Sequence, residues 1–189
     1  FHSTEGFISN KRNEMSKMVA SEAIRNVSHN LVEAIANPEN VEAMGKVAFG
    51  SYLSGIQMCV GSCTSAHPLE HALSASHENL PHGAGLIMIS KAYYGFFVNK
   101  HTCDDRFIEM AKLMGKQDAD KPEDFLTVLS ELQSACGVDN LKMSDYGITP
   151  EEFPGMVQNA RDTLGANFLN DPVQLSDEDC LAIYQESYR

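Results

Sequence analysis

The segment HPLEHALSASHENLPH, residues 67–82, contains four of the seven histidines of this 189-residue chain. An even distribution would place about 0.6 histidines in a window of this length. Imidazole is the commonest protein ligand of zinc and of non-heme iron, and it is also the side chain that titrates near neutral pH. The clustering therefore indicates a metal site or a proton-transfer site.

The spacing within this segment brings three of the four histidines near one point. His67 and His71 are four residues apart, so they lie on one face of a helix, one turn from each other. Residues 79–81 (Asn-Leu-Pro) break that helix, and His82 stands at the start of a second, apolar helix. His77 falls off the shared face. Two histidines at helical spacing followed by a third after a turn resemble known metal spacings.

Isolated histidines receive a different interpretation. A single histidine beside an apolar face is more often a hydrogen-bonded structural residue than a ligand. We apply this structural interpretation to His29 and His101.

The charge of the chain excludes several classes of partner. The formal net charge is −12 and the sequence pI is near 4.9. Nucleic acids and anionic membrane surfaces favour basic patches, and the lysines and arginines here are scattered. The longest apolar run, residues 83–98, is interrupted by Lys91 and is too short for a membrane span. We therefore expect neither nucleic acid nor membrane as a partner.

The five cysteines are an odd number, and only Cys59 and Cys63 are close in sequence. This pattern fits neither a disulfide framework nor a zinc ribbon. The chain opens without a recognisable signal peptide. A reducing cytoplasm is the expected location.

Hydrophobic residues repeat at helical period along most of the chain, and no run has the alternating pattern of a strand. We predict an all-α fold, a helical bundle of about seven to nine helices that forms a single domain over residues 1–189. Ser16 is the expected N-terminal cap of a long helix. Its inward stripe, the row of apolar residues expected to face the interior of the bundle, ends at Ile35. The predicted helices cover residues 1–9, 16–36, 41–60, 67–78, 83–99, 105–114, 122–136, 150–164 and 177–188.

Several segments resemble the C-terminal, metal-binding helical domain of the iron-containing (group III) alcohol dehydrogenases. They are HPLEHALSASHENLPHGAGL at residues 67–86 and FHSTEGFISN at residues 1–10. Two later segments, SDYGITPEEF at residues 144–153 and LSDEDCLAIY at residues 175–184, also resemble that family. The resemblance therefore extends over essentially the whole chain, and about the second half of a family member.

The resemblance implies a set of site residues. The first and last histidines of the family's H-x3-H…PHG block are metal ligands, which here are His67 and His82. FHSTEG matches the latter half of a D-x3-H-x2-E segment, which makes His2 a third ligand. The matching aspartate would precede His2 by four residues and is not in this chain. His71 corresponds to a residue beside the metal, near substrate and nicotinamide, and is the expected catalytic residue.

The cofactors and the missing domain also follow from the resemblance. The family's first half is an α/β nucleotide-binding domain, which we expect to be absent from this chain; Gly83-x-Gly85 follows no strand and is a weak dinucleotide signal. The metal would be Fe(II), with Zn(II) as the alternative, and the second cofactor NAD or NADP. His71 and His77 are the expected cofactor-binding residues. An extra residue between His67 and His82, relative to the common family spacing, leaves His77 as either a structural or a cofactor-facing histidine.

The resemblance implies NAD(P)-linked interconversion of an alcohol and an aldehyde or ketone, with the metal as a Lewis acid. The expected partners are a small alcohol or aldehyde and the N-terminal nucleotide-binding domain; a homo-oligomer is a further option. We expect this chain alone to be inactive. The alternative function is a non-catalytic helical metal-binding protein. A metal-dependent hydrolase is less favoured, because only Glu70 and Glu78 are carboxylates within the cluster.

Overall fold

Nine α-helices and three short 3₁₀ turns make up the computed structural model, which describes residues 1–189 and contains no β-strand. The prediction of an all-α bundle of seven to nine helices is confirmed. The helices are α1 (His2–Ile8), α2 (Glu14–Ala36), α3 (Val41–Val60), α4 (Ala66–Ser76), α5 (His82–Asn99), α6 (Asp104–Leu113), α7 (Glu123–Ala135), α8 (Phe153–Leu164) and α9 (Asp177–Ser187). None of them combines the length and hydrophobicity that crossing a membrane requires.

Helix α2 begins two residues earlier than the sequence predicts. The Asn13 side chain accepts a hydrogen bond from the Ser16 backbone nitrogen at 2.9 Å, and the Ser16 hydroxyl accepts one from the Asn13 backbone nitrogen. This reciprocal capping box makes Asn13 the cap, so the expectation that Ser16 caps the helix was wrong. The inward stripe also ends early, because Ile35 is 53% exposed.

The core of the bundle is built around α5, which carries three fully buried aromatic rings. Tyr93, Tyr94 and Phe97 pack edge to face along the helix, with Tyr93 5.2 Å from each of the other two ring centroids. Tyr94 also meets Phe125 of α7 at 5.2 Å. Edge-to-face pairs stabilise a core beyond the apolar area that they bury. This packing fixes α5, and with it the position of His82 at the first residue of the helix.

A buried polar network holds the loop that leads into α4. Asp171 is 1% exposed, and its Oδ1 accepts hydrogen bonds from the Ser65 backbone nitrogen at 2.9 Å and the Tyr93 hydroxyl at 3.1 Å. The Asn170 side chain donates to the Cys63 carbonyl at 3.0 Å. Because buried polar groups are costly when they lose their partners, these hydrogen bonds favour one conformation of the loop before His67.

The Asp171 carboxyl should make stability depend on pH. Burial raises its pKa from 3.8 to about 7, an effect that its hydrogen bonds to Ser65 and Tyr93 oppose. Between about pH 4 and pH 7 the unfolded chain therefore loses a proton that the folded chain keeps, so this group's contribution to the free energy of unfolding falls as pH rises. Above about pH 7 it is constant.

We expect Asp171→Asn to gain stability relative to the unsubstituted protein, by at least about 1 kcal/mol, as pH is raised from 4 to 7. Urea denaturation of both proteins at each pH measures the difference between their free energies of unfolding. The titration of all other groups contributes equally to both proteins and so cancels in this difference. A difference that is independent of pH would show that Asp171 ionises normally in the folded chain.

Candidate metal centre

Four histidines from three helices meet at one end of the bundle. His2 belongs to α1, His67 and His71 to α4, and His82 to α5. The rings of His2 and His67 stack at a centroid distance of 4.2 Å. The His82 ring lies 5.3 Å from His67 and 5.2 Å from His71. The sequence prediction that His67, His71 and His82 approach one point is confirmed by this geometry, and His2 joins them.

A buried carboxylate orients His67. Glu5 is fully buried, and one of its oxygens accepts a hydrogen bond from Nδ1 of His67. Its other oxygen accepts from the backbone nitrogen and the hydroxyl of Thr64, both at 3.0 Å. Because a carboxylate can only accept, Nδ1 of His67 carries a proton, which leaves Nε2 as the ring nitrogen available to a metal. That Nε2 atom is buried and has no hydrogen-bond partner.

A second buried carboxylate contacts His82. Glu70 is fully buried on α4, and its Oε2 lies in hydrogen-bond contact with Nδ1 of His82. Burial raises the pKa of the Glu70 carboxyl, and the neighbouring His82 opposes that rise. The Glu70–His82 contact has the same form as the Glu5–His67 contact, a buried carboxylate against Nδ1.

The environment favours the neutral form of two of these imidazoles, those of His2 and His71. Burial, reinforced by the nearby His67, lowers the pKa of His2 to about 4. Burial and the neighbouring His82 and His67 also lower the pKa of His71. A neutral imidazole is the form that ligates metals, so at neutral pH these side chains are ready to coordinate without first losing a proton.

The donor set fits a divalent transition metal. The buried Nε2 of His67 is a polar atom that needs a partner, and the ring centroids of His2 and His82 lie 4.2 Å and 5.3 Å from that of His67. Nitrogen donors with open coordination positions suit both iron(II) and zinc(II). Candidate ligand atoms of His2, Cys63 and His67 lie within 4.8 Å of one another. Burial raises the pKa of the Cys63 thiol to about 12, which disfavours a thiolate ligand.

His77 lies outside the cluster. It ends α4 as the C-terminal cap, and its Nε2 lies 3.0 Å from Oε1 of Glu152, at the entry to α8. Glu152 also accepts a hydrogen bond from the Thr149 backbone nitrogen at 2.7 Å. His77 therefore ties the loop between α4 and α5 to another part of the bundle. His29 and His101 are also absent from the cluster.

Sequence reasoning missed the roles of both buried carboxylates. Glu5 follows His2 by three residues, which suggested a shared helix face but gave no indication of a contact with His67. Glu70 was counted only as a carboxylate within the histidine segment. The one sequence signal for such partners is a charged residue on an otherwise apolar face, because buried charges are rare unless paired.

The chain is similar in sequence to one protein family and to several dehydrogenases of known activity. The family model described as the C-terminal part of the Fe-containing alcohol dehydrogenase family matches residues 1–188. A 1,3-propanediol dehydrogenase of Klebsiella pneumoniae is 24% identical over 99% of this chain and 48% of its own length. A long-chain primary alcohol dehydrogenase of Thermoanaerobacter ethanolicus is 28% identical over 99% of this chain and 47% of its own. The chain thus spans about half the length of these relatives.

Solved structures show the same fold. An archaeal halo-thermophilic alcohol dehydrogenase from a Red Sea brine pool superposes with a TM-score of 0.92 at 22% identity, over 98% of this chain and 48% of that one. A 1,3-propanediol oxidoreductase superposes with a TM-score of 0.89 at 23% identity, over 99% of this chain and 49% of that one.

Proposed function

Because this chain belongs to the Fe-containing alcohol dehydrogenase family, of which it forms the C-terminal part, we propose that it is the metal-binding half of an NAD- or NADP-linked dehydrogenase. The full-length enzyme would interconvert an alcohol and an aldehyde or ketone. The observation that carries this proposal is the proximity of the His2, His67, His71 and His82 rings, together with the buried Nε2 of His67 that has no hydrogen-bond partner.

The proposed ligands are His2, His67 and His82. An iron(II) or zinc(II) ion bound there supplies Lewis-acid activation of the alcohol oxygen. Glu5 holds the Nδ1 proton of His67 and so presents the Nε2 lone pair to the site. His2 stacks on His67 and is kept neutral by burial. The chain thereby offers three imidazole nitrogen donors, the number of protein ligands that a catalytic zinc site typically has beside its open position.

His71 is the proposed catalytic residue. It is exposed and its ring lies 5.2 Å from His82, but no hydrogen bond to a carboxylate holds it. A free, neutral imidazole at the rim of the site can accept the hydroxyl proton of the alcohol and pass it to solvent. The same exposed position suits contact with the nicotinamide.

The proposed partners of this chain are a nucleotide-binding half, a nicotinamide cofactor and a small-molecule substrate. The relatives are about twice as long, which supports an additional half that binds NAD or NADP. His71 and His77 are the proposed cofactor-facing residues, and the Glu152 contact would fix the loop that carries His77. A small alcohol or aldehyde is the proposed substrate, and the cytoplasm the proposed location. A homo-oligomer is compatible with this proposal.

The proposal is tested on the full-length protein that contains this chain. We expect alcohol-dependent reduction of NAD or NADP that requires added Fe(II) or Zn(II), is lost on treatment with a chelator and returns when the metal is restored. The measurement is nicotinamide absorbance at neutral pH with a series of small alcohols. The chain alone should show no turnover, because the nucleotide-binding half is not present.

A non-catalytic, metal-binding helical protein is the second candidate. It is favoured by the fact that the histidine cluster and both buried carboxylates lie within this chain. Stoichiometric metal binding by the full-length protein without turnover of any alcohol, with either nicotinamide cofactor, would support this candidate and contradict the dehydrogenase proposal.

A further inference from the structure

We propose that Glu70 is a positioning residue that sets the orientation and the tautomer of His82, and that Gly85 provides the space that Glu70 needs. This inference rests on the proposed function, in which His82 is a metal ligand. It concerns two residues that the histidine pattern itself does not assign.

The contact between Glu70 and His82 restrains a side chain that is partly exposed. The His82 side chain is 45% exposed and stands at the first residue of α5, and Glu70 supplies its side-chain hydrogen bond. The Glu70 side chain is fully buried and accepts a hydrogen bond from Nδ1 of His82. The carboxylate therefore keeps the proton on Nδ1 and leaves Nε2 as the donor atom.

Gly85 explains how a buried carboxylate fits at this place. A Cβ atom on residue 85 would lie 2.6 Å from Oε1 and 2.7 Å from Cγ of Glu70. Residue 85 is helical, and it is not among the glycines with positive φ, so its backbone conformation does not require glycine. A glycine inside a helix costs about 1 kcal/mol relative to alanine. The glycine is accounted for by the space that Glu70 occupies.

The Glu5–His67 pair in the same site resembles the Glu70–His82 pair. Glu5 and His67 also combine a fully buried carboxylate with a contact to Nδ1. Glu70 itself is close enough to His71 and His82 to be considered a metal ligand. Its Oε2 contacts Nδ1 of His82, whereas its Oε1 is buried and has no hydrogen-bond partner, so experiment has to separate positioning from direct ligation.

The test is a set of substitutions in the full-length protein, with zinc(II) affinity measured by competition with a chromophoric chelator. Glu70→Leu should lower the affinity by about 10- to 100-fold, and Glu70→Gln by less, because an amide oxygen still accepts from Nδ1. Glu78→Gln, on the loop after α4, is the matched control and should leave the affinity unchanged. Thermal unfolding of the metal-free proteins establishes that each variant folds.

Gly85 gives a double-substitution test of the same idea. Gly85→Ala should lower zinc affinity about as much as Glu70→Leu, because the new methyl group displaces the carboxylate. In a Glu70→Ala background, the same Gly85→Ala change should alter the affinity by less than about twofold, since no clash remains. An equal effect of Gly85→Ala in both backgrounds would overturn the proposal.

A cobalt(II) spectrum separates positioning from direct ligation. With positioning, Glu70→Gln weakens binding but keeps the coordination number of bound cobalt(II), and with it the intensity of the visible bands. Loss of a ligand in that spectrum would make Glu70 a ligand and overturn the positioning role. If Glu70→Leu binds zinc as tightly as the unsubstituted protein, the positioning role of Glu70 is wrong, but the proposed metal site is unaffected. If the unsubstituted protein binds no zinc, the proposed metal site fails.

Discussion

Replacing His67 or His82 with alanine should lower the zinc(II) or iron(II) affinity of the full-length protein by more than about 100-fold, beyond the loss typical of outer-shell partners. His71→Ala should change the affinity by less than about tenfold, yet lower kcat by about 100-fold or more. The effects differ because His67 and His82 are proposed metal ligands, whereas His71 is a proposed proton-transfer residue. His67 is buried and held by Glu5, whereas His71 is exposed and has no carboxylate partner.

Metal titration followed by steady-state kinetics on the reloaded variants measures both quantities. His101→Ala is a suitable control, because His101 is exposed and its Nδ1 contacts Asp104 at 2.9 Å, outside the cluster. Similar losses of affinity for His67→Ala, His82→Ala and His71→Ala would contradict the proposed division of roles.

Replacing Glu5 with alanine should lower the free energy of unfolding by at least about 3 kcal/mol, because each buried donor that loses its acceptor costs about 1–3 kcal/mol. Three donors are affected: the Thr64 backbone nitrogen, the Thr64 hydroxyl and Nδ1 of His67. The fully buried position leaves little access for water to replace the carboxylate. Urea denaturation of the metal-free protein measures the loss.

Two further variants define the origin of that effect. Glu5→Gln keeps one acceptor oxygen and should lose less stability than Glu5→Ala. Glu14→Ala, in the exposed first turn of α2, should change stability by less than about 0.5 kcal/mol. An equally small effect of Glu5→Ala would show that its hydrogen bonds contribute nothing net to folding.

Most helices were predictable because their signals are local. Residues 41–60 were predicted as a helix with the bounds that the structure has, since Pro38 and Gly61 flank a continuous apolar pattern. The start of α2 was missed because Asn13 and Ser16 cap each other, and the sequence prediction considered Ser16 alone. Ile35 matches the inward stripe by period but lies at the helix end, beyond the packed layers.

The candidate site was predictable only in part. His67, His71 and His82 are close in sequence, so helical spacing and one turn suffice to bring them together. The resemblance added His2, which no local pattern connects to the others. The carboxylate partners were not predictable from spacing, because the Glu5–His67 contact joins residues 62 positions apart and depends on how α1 packs. The contact of His77 with Glu152, 75 positions away, depends likewise on tertiary packing.

The long separation between His2 and His67 has a consequence for how the apo and loaded proteins unfold. If both residues bind one ion, the ion closes a covalent-like loop of more than 60 residues that joins the first helix to the middle of the chain. On the chain-entropy scale used for cross-links, a loop of that length is worth about 4 kcal/mol. The ion would then act as a reversible cross-link, and chelation would lower the free energy of unfolding by that contribution.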